Sequence, residues 1–125
     1  MNKYNMNKTF SQTMTVAEKD TAASFGSGLL PVYATPSMIL LMENTAMQMI
    51  PLNENESSVG THISVDHLKA TAVGKKVTCT AECVENDGRK YTFKLTVTDE
   101  TGDVVGTGEH KRAVVDVERF MNRIK

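Results

Sequence analysis

The chain has 125 residues, 40% of them apolar and 23% charged, and its 14 Lys and Arg against 15 Asp and Glu leave a formal net charge of −1. This is the composition of one folded module, and it excludes a disordered tail, a collagen-like repeat and a pair of full-sized domains. The near balance of charge argues against a dedicated nucleic-acid binder, whose affinity would come from neutralising phosphates.

Residues 1–125 are therefore read as a single domain, one that hides roughly 60–70% of its unfolded surface and needs no disulfide scaffold. The longest uninterrupted apolar stretch, Met38 to Met42, is far below the ~20 residues of a membrane helix. No membrane partner is expected. The start, Met1 to Lys8, is polar and lacks the apolar segment of a secretory signal, which points to the cytoplasm. Cys79 and Cys83 fall in a predicted strand, where four residues span roughly 13 Å, too far for a bridge. A pair of buried thiols in a reducing compartment is the expectation.

In chain order, Thr9 to Val16 alternates loosely and predicts a first strand. Glu18 to Val32 holds Asp20, Gly26, Gly28 and Pro31 and reads as a loop with at most one short helical turn. Its Phe25-Gly26-Ser27-Gly28-Leu29-Leu30 stretch combines flexibility with apolar weight, as suits a surface that closes over a ligand. Thr35-Pro36 predicts a helix start, with Thr35 as the cap and Pro36 at the first helical position. Ser37 to Ile50 then runs without Gly or Pro until Pro51. Its apolar residues occupy nearly every azimuth, so this helix must be covered on most sides. Its one formal charge is Glu43.

The rest reads as strands. Val59, Thr61, Ile63, Val65 and His67 share one phase, Gly60, His62, Ser64 and Asp66 the other. Val77 to Cys83 and Tyr91 to Val97 repeat the alternation. Asn86-Asp87-Gly88 and Thr101-Gly102-Asp103 tolerate positive φ and predict hairpins. Val104 to Val115 is the last long strand, followed by a short helix from Val117 to Ile124 started by Asp116. One buried helix beside four or five antiparallel strands implies an α+β domain in which a curved sheet wraps the helix. Its unpaired edges predict a homodimer joined edge to edge.

Glu43 is the chemical candidate, because a carboxylate among Met42, Ala46 and Met47 loses solvation and is retained when paired, protonated or used. The alternative is a narrow exposed stripe with Asn44 and Gln48. The strand phase sends His67 toward the same layer, and an imidazole and a carboxylate there make an acid–base pair suited to hydrolysis. Alone, His67 would read as a satisfied core group. Thr35 is a third candidate or simply the helix cap. Eight helical residues, about 12 Å, separate it from Glu43, so the two cannot touch on one straight helix. Gly60 is either an ordinary strand glycine or a place where backbone amides approach a substrate carbonyl. Glu109-His110-Lys111-Arg112 reads as a solvated strand end or, with Lys75 and Lys76, as a phosphate receiver. The scattered histidines and two strand cysteines give no metal-ligand spacing, and no metal or other cofactor is expected.

Ala34-Thr35-Pro36-Ser37-Met38 through Leu41-Met42-Glu43-Asn44, Val59-Gly60-Thr61 with Val65-Asp66-His67-Leu68, and Gly108-Glu109-His110-Lys111-Arg112-Ala113-Val114-Val115 resemble, in order and interval, the hotdog-fold thioesterases related to the fluoroacetyl-CoA thioesterase. The resemblance covers nearly everything after Thr9. It implies an antiparallel sheet around a central helix, a homodimer, and hydrolysis of acyl-CoA at the subunit interface. The family's catalytic Thr, Glu and His fall on Thr35, Glu43 and His67. Its carbonyl-side glycine falls on Gly60 and the arginine of its His-x-Arg segment on Arg112, with Phe25 in the loop that would border substrate. The fluoroacetate-selective member carries an aromatic, proline-rich lid there, and this chain does not, so fluorine selectivity is not implied. A non-catalytic acyl-CoA binding protein and a hydratase or dehydratase on the same fold are the alternatives to hydrolysis.

Overall fold

The computed structural model describes residues 8–125. The polar start up to Asn7, on which the expected location largely rests, lies outside the described residues. In chain order the elements are β1 (Thr9–Thr15), a 3-10 turn (Glu18–Asp20), α1 (Ala22–Phe25), α2 (Thr35–Met47), β2 (Glu56–His67), β3 (Lys76–Asn86), β4 (Lys90–Asp99), β5 (Val104–Asp116) and α3 (Val117–Arg123). The strands form one sheet in the order β1-β3-β4-β5-β2, every neighbouring pair antiparallel. Among the described residues no helix is long and apolar enough to cross a membrane.

The expected α+β architecture therefore forms, with a curved antiparallel sheet around α2. β1 and β2 lie at opposite edges, so the segment between them has to cross the whole sheet, and α2 makes that crossing. Gly88 and Gly102, at φ 91° and 90°, supply the left-handed positions that let the two hairpins turn tightly.

α2 begins one residue earlier than expected. Ala34 is its N-cap and makes no side-chain bond, while Thr35 is already helical. The Thr35 hydroxyl is thereby released from capping. The helix ends at Met47 rather than Ile50, and the chain turns through Gln48 and Met49 before Pro51. Ser37, Met38, Leu41, Met42, Thr45 and Ala46 form the buried face. They pack on Val77, Cys79, Ala81 and Cys83 of β3, on Phe93, Leu95 and Val97 of β4, and on Val105 and Val114 of β5. Each large apolar side chain enclosed there contributes about 1.5–3 kcal/mol. The helix is not covered all round, because Leu40 stays 61% exposed and Met47 38%.

The two cysteines are free and buried, and burial pushes the Cys79 thiol up to about 11. A thiol so disposed is inert at neutral pH.

One local departure reorients the site. The pairing of β2 with β5 shifts between Gly60 and His62, so Thr61 is an extra residue without a partner. Strict alternation puts Gly60 and His67 on opposite faces; the bulge flips the phase and brings both to the helix side.

Candidate active site

The first turn of α2 and the last residue of β2 meet directly. Thr35 Oγ1 lies 2.8 Å from His67 Nδ1. The Tyr33 ring stands edge-on to the imidazole, with centroids 6.3 Å apart at 81°. Burial lowers the His67 pKa from its ordinary value, while the Lys69 backbone pulls the other way. Burial thus favours the neutral imidazole beside the Thr35 hydroxyl. Among the described residues its buried Nε2 makes no hydrogen bond.

Two turns further along α2, Glu43 is half-buried. Its carboxylate makes no hydrogen bond or ion pair among the described residues. A methyl group placed on Gly60 would stand 3.2 Å from His110 Cε1 and 3.6 Å from both Arg112 Nη1 and Glu43 Oε2. Gly60 is thus the bare floor between a carboxylate and a guanidinium. Arg112 is buried and anchored by three bonds: Nε to Ser58 Oγ at 2.9 Å, Nη2 to the Ser58 carbonyl at 2.9 Å, and Nη1 to His110 Nε2 at 3.2 Å. Burial lowers the Arg112 pKa and Glu43 raises it in part. Guanidinium remains charged under such a shift.

The sequence-derived residues therefore gather in two groups. Thr35 and His67 form one; Glu43, Gly60 and Arg112 form the other. The imidazole that the protomer brings to the Glu43 group is His110, not His67. Phe25 ends α1 with 49% of its surface exposed and belongs to neither group.

His110 is the residue that the charged run concealed. The expectation of a solvated strand end fails for alternate positions: Glu109 and Lys111 are exposed, whereas His110 is fully enclosed and Arg112 nearly so. The signal available was the period of two, since His110 and Arg112 share a phase with the buried Val114. Outside this layer an open cleft of about 570 Å³ is lined by Thr61, Lys90, Tyr91, Lys111 and Arg112 together with Glu85 and Asp87. Among the described residues no three His, Cys, Asp or Glu side chains are grouped so as to hold a metal ion.

A single helix clasped by a five-stranded antiparallel sheet is the hotdog fold of the thioesterases. Residues 16–118 match the fluoroacetyl-CoA-specific thioesterases, and the chain belongs to that family. It is 38% identical over 96 residues to the fluoroacetyl-CoA thioesterase of Streptantibioticus cattleyicolor, covering 75% of this chain and 68% of that protein. The solved structure of the fluoroacetyl-CoA thioesterase FlK superposes with a TM-score of 0.91 at 29% identity, over 98% of this chain and 96% of that one. A variant of FlK solved with fluoroacetate and CoA superposes with a TM-score of 0.85 at 31% identity, over 92% and 98% of the two chains.

Proposed function

We propose that this protein hydrolyses small or medium acyl-CoA thioesters to a carboxylic acid and free CoA, at a site completed by a second copy of the chain. The observation that carries this reading is the unpartnered Glu43 carboxylate facing Gly60 and Arg112. Glu43, as general base, takes a proton from a water molecule whose oxygen adds to the thioester carbon. The carbon–sulfur bond then breaks, and the CoA sulfur leaves with a proton. Gly60 has no side chain to keep the carbonyl away, and the Arg112 guanidinium stands where negative charge develops on its oxygen. The binding of fluoroacetate and CoA by the FlK variant supports the substrate class. Lys90 and Lys111 at the neighbouring cleft suit the phosphates of CoA.

The dimer follows from what the protomer lacks. Thr35 and Glu43 are about 12 Å apart along one helix, and drawing one of them from a second subunit relieves that separation. β2 is a 12-residue edge strand. Antiparallel pairing of two such edges about a two-fold axis at Ser64, with Thr61 looped out as it is against β5, sets His67 opposite Gly60 of the partner subunit with both on the helix side. The Thr35–His67 group of one protomer then faces the Glu43 group of the other. In that arrangement His67, oriented by Thr35, relays the proton taken from the attacking water to the departing sulfur.

The test is thiol release from a panel of acyl-CoA substrates by the wild type and by Glu43→Gln. Turnover by the wild type, lost in the variant with acyl-CoA binding retained, is the expected result. Saturable binding without turnover in the wild type would replace the hydrolase by a binding protein.

A further inference from the structure

His110 is buried to 0% exposure on β5, and the catalytic reading assigns it nothing. Both of its ring nitrogens are engaged. Nδ1 lies 2.8 Å from the backbone carbonyl of His62, and Nε2 lies 3.2 Å from Arg112 Nη1. A guanidinium nitrogen only donates and a carbonyl oxygen only accepts. Nε2 must therefore accept from Arg112, and the proton must sit on Nδ1, donated to His62. This satisfies both contacts with one neutral tautomer. An imidazolium would satisfy only the contact to the His62 carbonyl.

We propose that His110 is a positioning residue for thioester cleavage, which as the neutral Nδ1–H tautomer steers the Arg112 guanidinium toward Gly60 and Glu43. The kinetic arm of this proposal rests on the hydrolase reading; the tautomer does not. Ser58 grips Arg112 through Nε and Nη2, which leaves Nη1 as the nitrogen nearest Gly60, and His110 is the group bonded to it. The same ring lies under Gly60, its Cε1 setting how closely anything can approach that backbone. The groups facing His110 agree with its neutral form. Arg112 on the same strand opposes a second positive charge, as does the half-exposed His62 on β2; Glu43 on α2 favours one; across β4 it meets the apolar Phe93. Burial is the largest influence, and the net direction is a lowered pKa.

The experiment has two readouts on the intact protein. Nitrogen-15 correlation spectra of the imidazole rings should show His110 at neutral pH with a protonated Nδ1 and a bare Nε2. A proton on Nε2, or an imidazolium, overturns the proposal. In acetyl-CoA turnover, or with whichever panel member the wild type cleaves best, His110→Phe should lose about 100-fold in kcat with KM little changed, the scale of a misplaced group that is not itself reacting. His110→Gln, whose Oε1 can accept where Nε2 does, should regain roughly tenfold of that loss. A folded Phe variant with wild-type kcat, or a folded Gln variant no better than Phe, overturns the positioning role. Should the Phe variant fail to fold, the Gln variant and the ring spectra decide. If the wild type cleaves no acyl-CoA, the hydrolase reading fails and the tautomer is judged by the spectra alone.

Discussion

The two ends of α2 present opposite solutions to the same problem. At its start a hydroxyl and an imidazole satisfy each other at 2.8 Å, and a tyrosine ring braces the pair. Two turns later a carboxylate stands half-buried with no partner, beside a guanidinium whose bonds go to Ser58 and His110 instead. An acid beside an arginine in such a layer normally closes into an ion pair, because desolvation without pairing is costly. Here both groups are held apart over a glycine. One end is prepared, its hydroxyl and ring nitrogen bonded to each other within the protomer, and the other is left open.

That contrast ranks the variants. Glu43→Gln removes the open end's chemistry while keeping its shape, and should lower kcat by about 10²–10⁴-fold. Thr35→Ala takes one orienting bond from His67 and should cost about 10–100-fold, with Thr35→Ser close to wild type. Steady-state thiol release measures both. If Thr35→Ala is the more damaging, the prepared end carries the chemistry and the assignment of roles reverses.

A mixed dimer tells whether the two ends cooperate across chains. When Thr35→Ala and Glu43→Gln protomers are combined, a cross-chain site regenerates one intact pairing in every heterodimer. Random mixing should then restore about a quarter of wild-type activity from two parents that each keep at most about a tenth of it, half the dimers each holding one good site. Sites built within a single chain would restore nothing. Sedimentation of the mixture provides the dimer fraction needed to normalise the rate.

Much of this layout was legible in the residue order. Thr35-Pro36 and Pro51 bracket α2 within a few positions, and Asn86-Asp87-Gly88 with Thr101-Gly102-Asp103 mark both hairpins. The phase of β2 sends His67 inward correctly from Ile63 onward. It fails at Gly60, because a bulge is chosen by how β2 must lie against β5, and nothing in Gly60-Thr61-His62 announces an extra residue. Thr35 reads as a cap by type, yet Ala34 takes that place, since the extended backbone there already turns the chain into the helix. His110 was hidden by its neighbours: flanked by Glu109 and Lys111 it reads as solvent-facing, and only the alternation with Val114 opposes that impression.

Each end of the helix also rests on a glycine, and the two should respond differently to one added methyl. At Gly106, which pairs with His67, a Cβ would come within 2.6 Å of Met38 Sδ and 2.9 Å of the Asp66 carbonyl. The carbonyl cannot move as a side chain can, so Gly106→Ala should destabilise by about 1–3 kcal/mol through overpacking. At Gly60 the nearest atom is His110 Cε1 at 3.2 Å, a tight contact with a bonded ring but looser than either contact at Gly106. Gly60→Ala should therefore lose less stability than Gly106→Ala while losing about tenfold in kcat/KM, its methyl standing where the carbonyl approaches. Chemical denaturation and turnover of both variants separate the effects, and equal stability losses would show that Gly60 is a packing glycine like Gly106.

The smallest effect is on pH, and its sign is determined by the imidazoles. Burial lowers the pKa of both His67 and His110, so each binds a proton less readily folded than unfolded. Their contribution to stability is complete above the unfolded value near 6.5 and is lost as pH falls toward the folded values. Asp87, Asp99 and Asp116 are carboxylates with lowered pKa, Asp87 and Asp116 chiefly through backbone N–H groups and Asp99 chiefly through Lys69. Their share persists until pH falls below about 4, which keeps the two windows apart. Thermal melts between pH 7 and pH 5 should therefore report the imidazoles, with Tm declining across the range. His110→Gln should flatten that decline more than His67→Gln, because His110 is wholly enclosed whereas His67 is only half-buried. A steeper loss of slope in the His67 variant would mean that the prepared end of the helix, rather than the open one, resists the proton more strongly.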